Sequence, residues 1–233
     1  MLMKILKSSA DEIILQLSKS SGATCELVYD LTGSENDLAP LFSGPLWSAI
    51  IWERSVCVMC EYLERNVSRI RGKNVVELGC GLGVPGLVAK ITCDASSVSL
   101  TDRDEDLKVL RRMLDQNASV LNDLEDSLQS VDFDWSQNAN SMISECADVI
   151  LAIECVSADV YGRESLTWLL RAIDQVANKE RNVLLLLCSV RRAKDGLDEV
   201  LTSLQHSYAA NINLVGDFSS DGVELYEIDI QFR

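Results

Sequence analysis

A run of glycines after residue 77 carries the strongest chemical pattern in the chain. Gly79, Gly81 and Gly83 alternate directly behind an apolar stretch, and Glu77 precedes the first of them by two residues. Glycines that follow a strand and open a helix let the backbone approach a ligand closely and donate N–H groups to it. Two ligand classes use such a turn: a nicotinamide dinucleotide and the methyl donor S-adenosylmethionine.

The residues around the turn separate these two ligands. Gly81, Gly83 and Gly86 have the spacing of the dinucleotide fingerprint, and Asp102 lies at a suitable distance downstream to bind a ribose. Glu77 is a carboxylate at the end of the preceding strand. Its charge repels a pyrophosphate, whereas it attracts the sulfonium and amino group of S-adenosylmethionine. The acidic strand end therefore favours the methyl donor.

The composition limits other chemistries. A formal net charge of −15 repels nucleic-acid phosphates and suits a basic protein surface. His206 is the one histidine, and Cys57 and Cys60 form a C-x-x-C pair without a second pair, so we expect no metal. Eight cysteines scattered through core-like segments favour reduced thiols, in the cytoplasm or the nucleus. The longest uncharged apolar run, 183–190, is far short of the roughly 20 residues that span a bilayer, so we expect a soluble protein, and we expect it to be a monomer.

Alternating apolar runs and amphipathic patterns position the glycine turn. The alternation of strands with helices predicts an α/β fold with a doubly wound, mostly parallel seven-stranded sheet. The last two strands are joined by a short loop, which predicts a closing antiparallel hairpin. The predicted strands are 74–78, 98–101, 128–133, 149–153, 183–189, 211–215 and 224–232. The predicted helices are 47–63, 84–92, 104–117, 165–177 and 194–206.

The first part of the chain is predicted to be a small extension. Residues 1–45 contain possible short strands at 12–17 and 25–29, and the main domain covers 46–233. The start of the chain has a brief resemblance to a secretion signal, but Asp11 and Glu12 interrupt its apolar region. We therefore expect no such signal.

These patterns resemble the seven-strand class I methyltransferases, and among them the methyltransferase-16 group of protein lysine methyltransferases. The matching stretches are Gly44 to Trp47, Val76 to Gly86, Thr101-Asp102, Asn117, Asp134-Trp135 and Glu154, in the order that the family has them. The resemblance implies a Rossmann-like methyltransferase fold. It also implies S-adenosyl-L-methionine as methyl donor, S-adenosylhomocysteine as product, and a lysine side chain of a soluble protein as acceptor.

The resemblance also implies roles for individual residues. Glycines of the turn pack against the donor, Glu77 steadies the turn or the donor's amino acid portion, and Asp102 accepts hydrogen bonds from the ribose hydroxyls. Trp135 lies against the adenine. The full set of implied cofactor-binding residues is Trp47, Glu77, Gly79, Gly81, Gly83, Asp102, Trp135 and Ala152. The simpler alternatives remain open: turn glycines, a helix-capping Asp102 and tryptophans of the core.

The acceptor side departs from the family pattern. Relatives have a carboxylate after this strand and an aromatic residue three positions later, whereas here Glu154 is followed by Ser157. We expect Glu154 to orient the acceptor amine, and Tyr161 or another aromatic residue to line the channel. A solvated Glu154 is the simpler alternative. The missing aromatic also leaves open methylation of a small molecule or of a non-lysine protein group, and a non-catalytic donor-binding subunit that stabilises a partner.

Overall fold

Two sheets make up the β-structure of the described chain. The computed structural model describes residues 3–8, 12–19, 21–30, 45–137, 146–216 and 222–232, and the side chains of these except 8 and 45–53. The strands are β1 (Met3–Ser8), β2 (Glu12–Ser18), β3 (Thr24–Asp30), β4 (Asn74–Leu78), β5 (Ser97–Asp102), β6 (Leu128–Asp132), β7 (Val149–Ile153), β8 (Val183–Val190), β9 (Asn211–Leu214) and β10 (Val223–Ile230).

The helices lie between these strands. They are α1 (Pro45–Arg65), α2 (Val67–Ile70), α3 (Val84–Ile91), α4 (Leu107–Gln116), α5 (Ala118–Leu121), α6 (Ala158–Tyr161), α7 (Glu164–Val176) and α8 (Leu197–Ser207), with a 3₁₀ turn over Asn122–Leu124. Helix α8 begins three residues later than predicted, because Lys194 and Gly196 both have left-handed backbone with φ of 65° and 87°. Among the described residues, every helix is too short or too polar to cross a membrane.

The larger sheet has the strand order β6-β5-β4-β7-β8-β10-β9. Its first five strands are parallel, and β10 runs antiparallel to both β8 and β9. The predicted doubly wound sheet with a closing antiparallel hairpin is therefore confirmed. The position of β10 between β8 and β9 was not anticipated, because periodicity shows which residues form a strand and not which strands are neighbours.

The register of the central strands brings their carboxyl ends together. Leu78 of β4 lies beside Thr101 of β5 on one side and beside Ala152 of β7 on the other. The chain passes from β4 through β5 to β6 and then returns to the other flank of β4 at β7. Such a reversal opens a crevice at the carboxyl ends of the strands, where doubly wound sheets bind ligands. The residues that follow β4, β5 and β7 all lie at this edge.

The N-terminal residues form a three-stranded antiparallel sheet in the order β1-β2-β3. The predicted strands at 12–17 and 25–29 are confirmed, whereas β1 was missed. Strand β2 alternates fully buried residues such as Leu15 and Leu17 with half-buried ones, so one of its faces joins the core shared with α3 and α4.

Two side chains fasten this small sheet to the main domain. Asn117, which follows α4, makes two side-chain hydrogen bonds to the backbone of β3. Its Oδ1 accepts from the Val28 amide at 3.1 Å, and its Nδ2 donates to the Val28 carbonyl at 2.9 Å. The hydroxyl of the fully buried Tyr29 donates to the Leu82 carbonyl at 3.0 Å. The N-terminal sheet therefore supports the glycine turn directly.

Candidate active site

The glycine turn has a backbone that other residues adopt only with strain. Gly79, Gly81 and Gly83 have φ of 60°, 51° and 68°, all in the left-handed region. The Cys80 amide donates to the Thr101 carbonyl at 2.9 Å, which ties the turn to β5. The Gly83 amide donates to the Cys80 carbonyl at 2.7 Å, so the turn closes tightly on itself at the sheet edge.

Glu77 lies beneath this turn. Its side chain is 2% exposed, and its Oε2 accepts a hydrogen bond from the Gly86 amide in the first turn of α3 at 2.8 Å. Burial raises the pKa of the Glu77 carboxyl to about 8, so the neutral form predominates at pH 7. A neutral Glu77 neither repels a pyrophosphate nor attracts a sulfonium, so the expectation that its charge selects the methyl donor is wrong. Glu77 joins β4 to α3 as a buried hydrogen-bonding group.

The raised pKa of Glu77 predicts a pH-dependent stability. The folded protein binds the proton of the Glu77 carboxyl more tightly than the unfolded chain does. Its protonation therefore stabilises the fold fully below about pH 4.5, and this stabilisation is lost as the pH rises through about 8. Replacement Glu77→Gln removes the titration and keeps an acceptor for the Gly86 amide. We expect the unfolding free energy of the wild type, relative to this variant, to fall by several kcal/mol (on the order of 3–5) between pH 5 and pH 9.

Urea unfolding at a series of pH values measures this difference. The control Glu105→Gln changes an exposed carboxylate of the same type, and this variant should follow the wild-type curve. Parallel pH profiles for the wild type and Glu77→Gln would contradict the assigned environment of Glu77.

Asp102 ends β5 and also holds the turn. Its Oδ2 accepts from the Gly81 amide at 2.8 Å, and its Oδ1 accepts from the Arg103 amide at 2.9 Å. Burial raises the pKa of the Asp102 carboxyl to about 6, against the opposing effect of these two amides. The carboxylate thus lies at the tip of the strand next to β4, beside the glycine backbone.

Trp135 covers the start of the turn. A Cβ atom on Gly79 would lie 3.2 Å from the indole Cη2 of Trp135 and 3.3 Å from the Cys155 sulfur. The turn that carries Trp135 is stabilised by Asp134, whose Oδ1 accepts from the amide and the hydroxyl of Ser136 at 2.9 and 2.6 Å. The indole Nε1 is buried and has no hydrogen-bond partner within the described structure. A glycine backbone, a carboxylate and an aromatic ring with a free donor fit a nucleoside-containing ligand.

Glu154 follows β7 at the same edge. It has left-handed backbone with φ of 55°, unusual for a residue other than glycine. Its Oε1 accepts from the Ser55 hydroxyl and from the Val190 amide, the latter at 2.8 Å. Its Oε2 accepts from both terminal nitrogens of Arg192 at 3.1 Å. The carboxylate is therefore held between α1, β8 and the loop that follows β8.

The other predicted site residues have different surroundings. Tyr161 is the last residue of α6, and 48% of its surface is exposed. Ser157, which precedes that helix, is buried, and its hydroxyl donates a hydrogen bond to Asp159 Oδ1 at 2.8 Å. Ala152 is fully buried in the core below the crevice. Trp47 belongs to the first turn of α1, and its side chain lies outside the described part of the structure.

Three residues at this edge were missed by sequence reasoning. Ser55 and Arg192 contact Glu154, and Tyr29 contacts the glycine turn. For Arg192 there was a local signal, two consecutive arginines directly after a buried strand, where a doubly wound sheet places its ligands. Ser55 and Tyr29 gave none, because their contacts join distant parts of the chain.

The cysteines and acidic residues add no metal centre to the described ranges. All eight cysteines carry free thiols. Among the described residues, no three histidine, cysteine, aspartate or glutamate side chains are grouped so as to hold a metal ion.

Comparisons with known proteins agree with this geometry. The family described as lysine methyltransferase matches residues 46–206. Protein N-lysine methyltransferase METTL21A of Danio rerio is 28% identical over 162 residues, which are 70% of this chain and 69% of that protein. Calmodulin-lysine N-methyltransferase of Arabidopsis thaliana is 28% identical over 99 residues, 42% of this chain and 32% of that protein.

Solved structures support the fold. The ribosomal protein L11 methylase from Lactobacillus delbrueckii subsp. bulgaricus has a TM-score of 0.52 and 16% identity, with coverage of 76% of this chain and 78% of that one. At this identity the likeness concerns the fold alone. The family match extends over more than half of the chain and includes the glycine turn, Asp102, Trp135 and Glu154. The chain therefore belongs to the lysine methyltransferase family, and its methyl donor is S-adenosylmethionine.

Proposed function

We propose that this enzyme transfers the methyl group of S-adenosylmethionine to the side-chain amine of a lysine in a protein substrate. The observation that supports this most is the placement of Glu154. It lies at the carboxyl end of β7, the strand beside β4, and the sulfur of the next residue, Cys155, is 3.1 Å from the Leu78 carbonyl that precedes the glycine turn. An acceptor carboxylate and the donor turn thus share one crevice edge.

The glycine turn, Asp102 and Trp135 would hold the donor. The donor supplies an electrophilic methyl group: the amine nitrogen forms a bond to the methyl carbon, the C–S bond breaks, and its electron pair stays on sulfur. Asp102 presents a carboxylate to the ribose hydroxyls. Trp135 offers its ring to the adenine and its unpartnered Nε1 as a donor. Binding and alignment are the contribution of these residues.

Glu154 would act on the acceptor. A lysine amine has an unperturbed pKa near 10.4 and must be neutral to attack, which costs about 4–5 kcal/mol at pH 7 if met by equilibrium alone. The Glu154 carboxylate, 11% exposed, would bind the arriving ammonium and align its nitrogen with the methyl group. The ammonium proton would pass to solvent before the neutral amine attacks. The exposed ring of Tyr161 is our candidate for the rim of this channel.

Labelled S-adenosylmethionine, incubated with the purified chain and cell extract, tests the proposal. A labelled protein band supports the proposal if the band stays unlabelled when the lysines of the extract are chemically blocked before the incubation. Label in small solutes points instead to a small-molecule acceptor, and absence of any label points to a non-catalytic donor-binding subunit. The variant Glu154→Gln should reduce labelling about tenfold or more and leave S-adenosylhomocysteine binding unchanged. Full labelling by this variant would contradict the role of Glu154.

A melting experiment tests the donor separately. A ligand that binds the native state raises the melting temperature. S-adenosylhomocysteine should therefore raise it and NAD should not, and the reverse result would overturn the donor assignment.

We further propose a basic protein surface as the partner. The net charge of −15 supports attraction to such a surface and repulsion of nucleic acid and of anionic membranes. On this proposal the enzyme acts as a monomer in the cytoplasm or the nucleus.

A further inference from the structure

The two oxygens of the Glu154 carboxylate are held in different ways. Oε1 accepts from the hydroxyl of Ser55, which is fully buried on α1, and from the backbone amide of Val190. Both donors are fixed by the fold. Oε2 accepts only from Arg192 among the described residues. One oxygen is therefore anchored by the core and the other by a single long side chain.

The backbone of Arg192 is held by Asp195, whereas its guanidinium contacts Glu154. Its amide donates to Asp195 Oδ2 at 2.9 Å, and the buried Asp195 also accepts from the Leu197 amide at 2.9 Å. The side chain is 30% exposed. Its terminal nitrogens both reach the same oxygen of Glu154, whereas a strong arginine–carboxylate pair uses two parallel bonds to two oxygens. Solvent therefore reaches this guanidinium, which has one acceptor among the described residues.

We propose that the Arg192 guanidinium is an exchangeable counter-ion on Glu154, and that the ammonium group of the substrate lysine displaces it from Oε2. This inference rests on the proposed function, because it takes Glu154 to face the acceptor. A lysine ammonium is a compact point charge, well suited to one free oxygen. Ser55 and Val190 keep the carboxylate in place during the exchange, since their bonds to Oε1 do not depend on Arg192.

The exchange has a kinetic consequence. Arg192 competes with the substrate cation for Oε2, so its removal favours substrate binding and leaves the alignment of the carboxylate unchanged. A lower KM with little change in kcat is therefore expected. A purely structural ion pair predicts the opposite, because loss of a positioning contact lowers kcat or stability.

Binding of a lysine mimic tests this without a known substrate. The full chain is saturated with S-adenosylhomocysteine and titrated with N-acetyl-lysine methylamide in a calorimeter or by NMR. We expect Arg192→Met to bind the mimic about three- to tenfold more tightly than the wild type, because the substitution removes one partly exposed cation that competes for Glu154. The gain should vanish in Arg192→Met/Glu154→Gln. It should also be absent for the neutral N-acetyl-norleucine methylamide.

Matched variants make the result decisive. Arg163→Met removes an exposed arginine that pairs with Glu199 and not with Glu154, and this variant should bind the mimic like the wild type. Arg192→Gln is a second neutral variant in case Arg192→Met does not fold. Equal or weaker binding of the mimic in both neutral variants would overturn the exchange. If extract labelling produces a lysine-labelled band while these variants show no gain, the exchange fails and the proposed function stands. Absence of any labelled band in the extract would contradict the proposed function, whatever the binding of the mimic.

Discussion

Gly79→Val is expected to weaken S-adenosylhomocysteine binding by about a hundredfold. Gly79 has φ of 60°, so a branched residue there costs about 1–2 kcal/mol of backbone strain. A Cβ would also lie 3.2 Å from the Trp135 ring and 3.3 Å from the Cys155 sulfur, and such overpacking costs about 1–3 kcal/mol more. On the proposed function the Trp135 ring meets the donor, so its displacement by the new side chain lowers affinity, whereas backbone strain alone lowers only stability. Isothermal calorimetry with S-adenosylhomocysteine measures the loss.

Gly72→Val is the matched control for this change. Gly72 has a similar φ of 69°, but a Cβ there would meet no atom within 4 Å. The control should lose stability through strain alone and keep its affinity. Equal affinity of Gly79→Val and the wild type would show that Trp135 and the turn do not form the donor site. Equal loss in both variants would assign the effect to general destabilisation.

The central strands β4, β7 and β8 could be predicted from the sequence because they are largely apolar runs. Strand β4 over 74–78 and β7 over 149–153 have the predicted bounds. Strands of this kind are buried on both faces, and their composition identifies them without any knowledge of their neighbours. Strand β1 was missed for the converse reason. Lys4 to Lys7 are all exposed, so the segment lacks the alternation that marks a half-buried strand.

The residues that we propose for donor binding could be located in the sequence because they lie in short local motifs. Glycines after a strand and a carboxylate at the tip of the next strand are spacings that a sequence displays. The protonation of Glu77 could not be predicted. It depends on complete burial against Gly86, and burial of one side chain is a property of the packed core.

The acceptor side depends on contacts between distant residues. Ser55 and Arg192 lie 99 and 38 positions from Glu154, so no local period connects them to it. The left-handed backbone of Glu154 is equally hidden, since nothing in its residue type requires it. Strain of this kind persists only where the surroundings impose it, at a cost of about 1–3 kcal/mol, and it commonly marks functional positions.

Gly86→Ala is expected to destabilise the fold by about 2–3 kcal/mol, although alanine is the better helix former by about 1 kcal/mol. Gly86 lies in α3 against β5. A Cβ there would be 2.3 Å from Leu100 Cδ2 and 2.7 Å from Glu77 Oε2. Leu100 is fully buried, so it has little room to turn away. Helix α3 must shift, which lengthens the hydrogen bond between the Gly86 amide and Glu77.

A double-mutant cycle with Leu100→Ala tests this cause. Leu100→Ala alone should cost about 2–5 kcal/mol through the cavity that it leaves. In the double variant the new methyl group of residue 86 occupies part of that cavity, so the combined loss in urea unfolding should be smaller than the sum by about 1 kcal/mol or more. Additive losses would mean that Leu100 does not limit the space at Gly86. The loss in Gly86→Ala would then come from the contact of the new Cβ with Glu77 Oε2 at 2.7 Å.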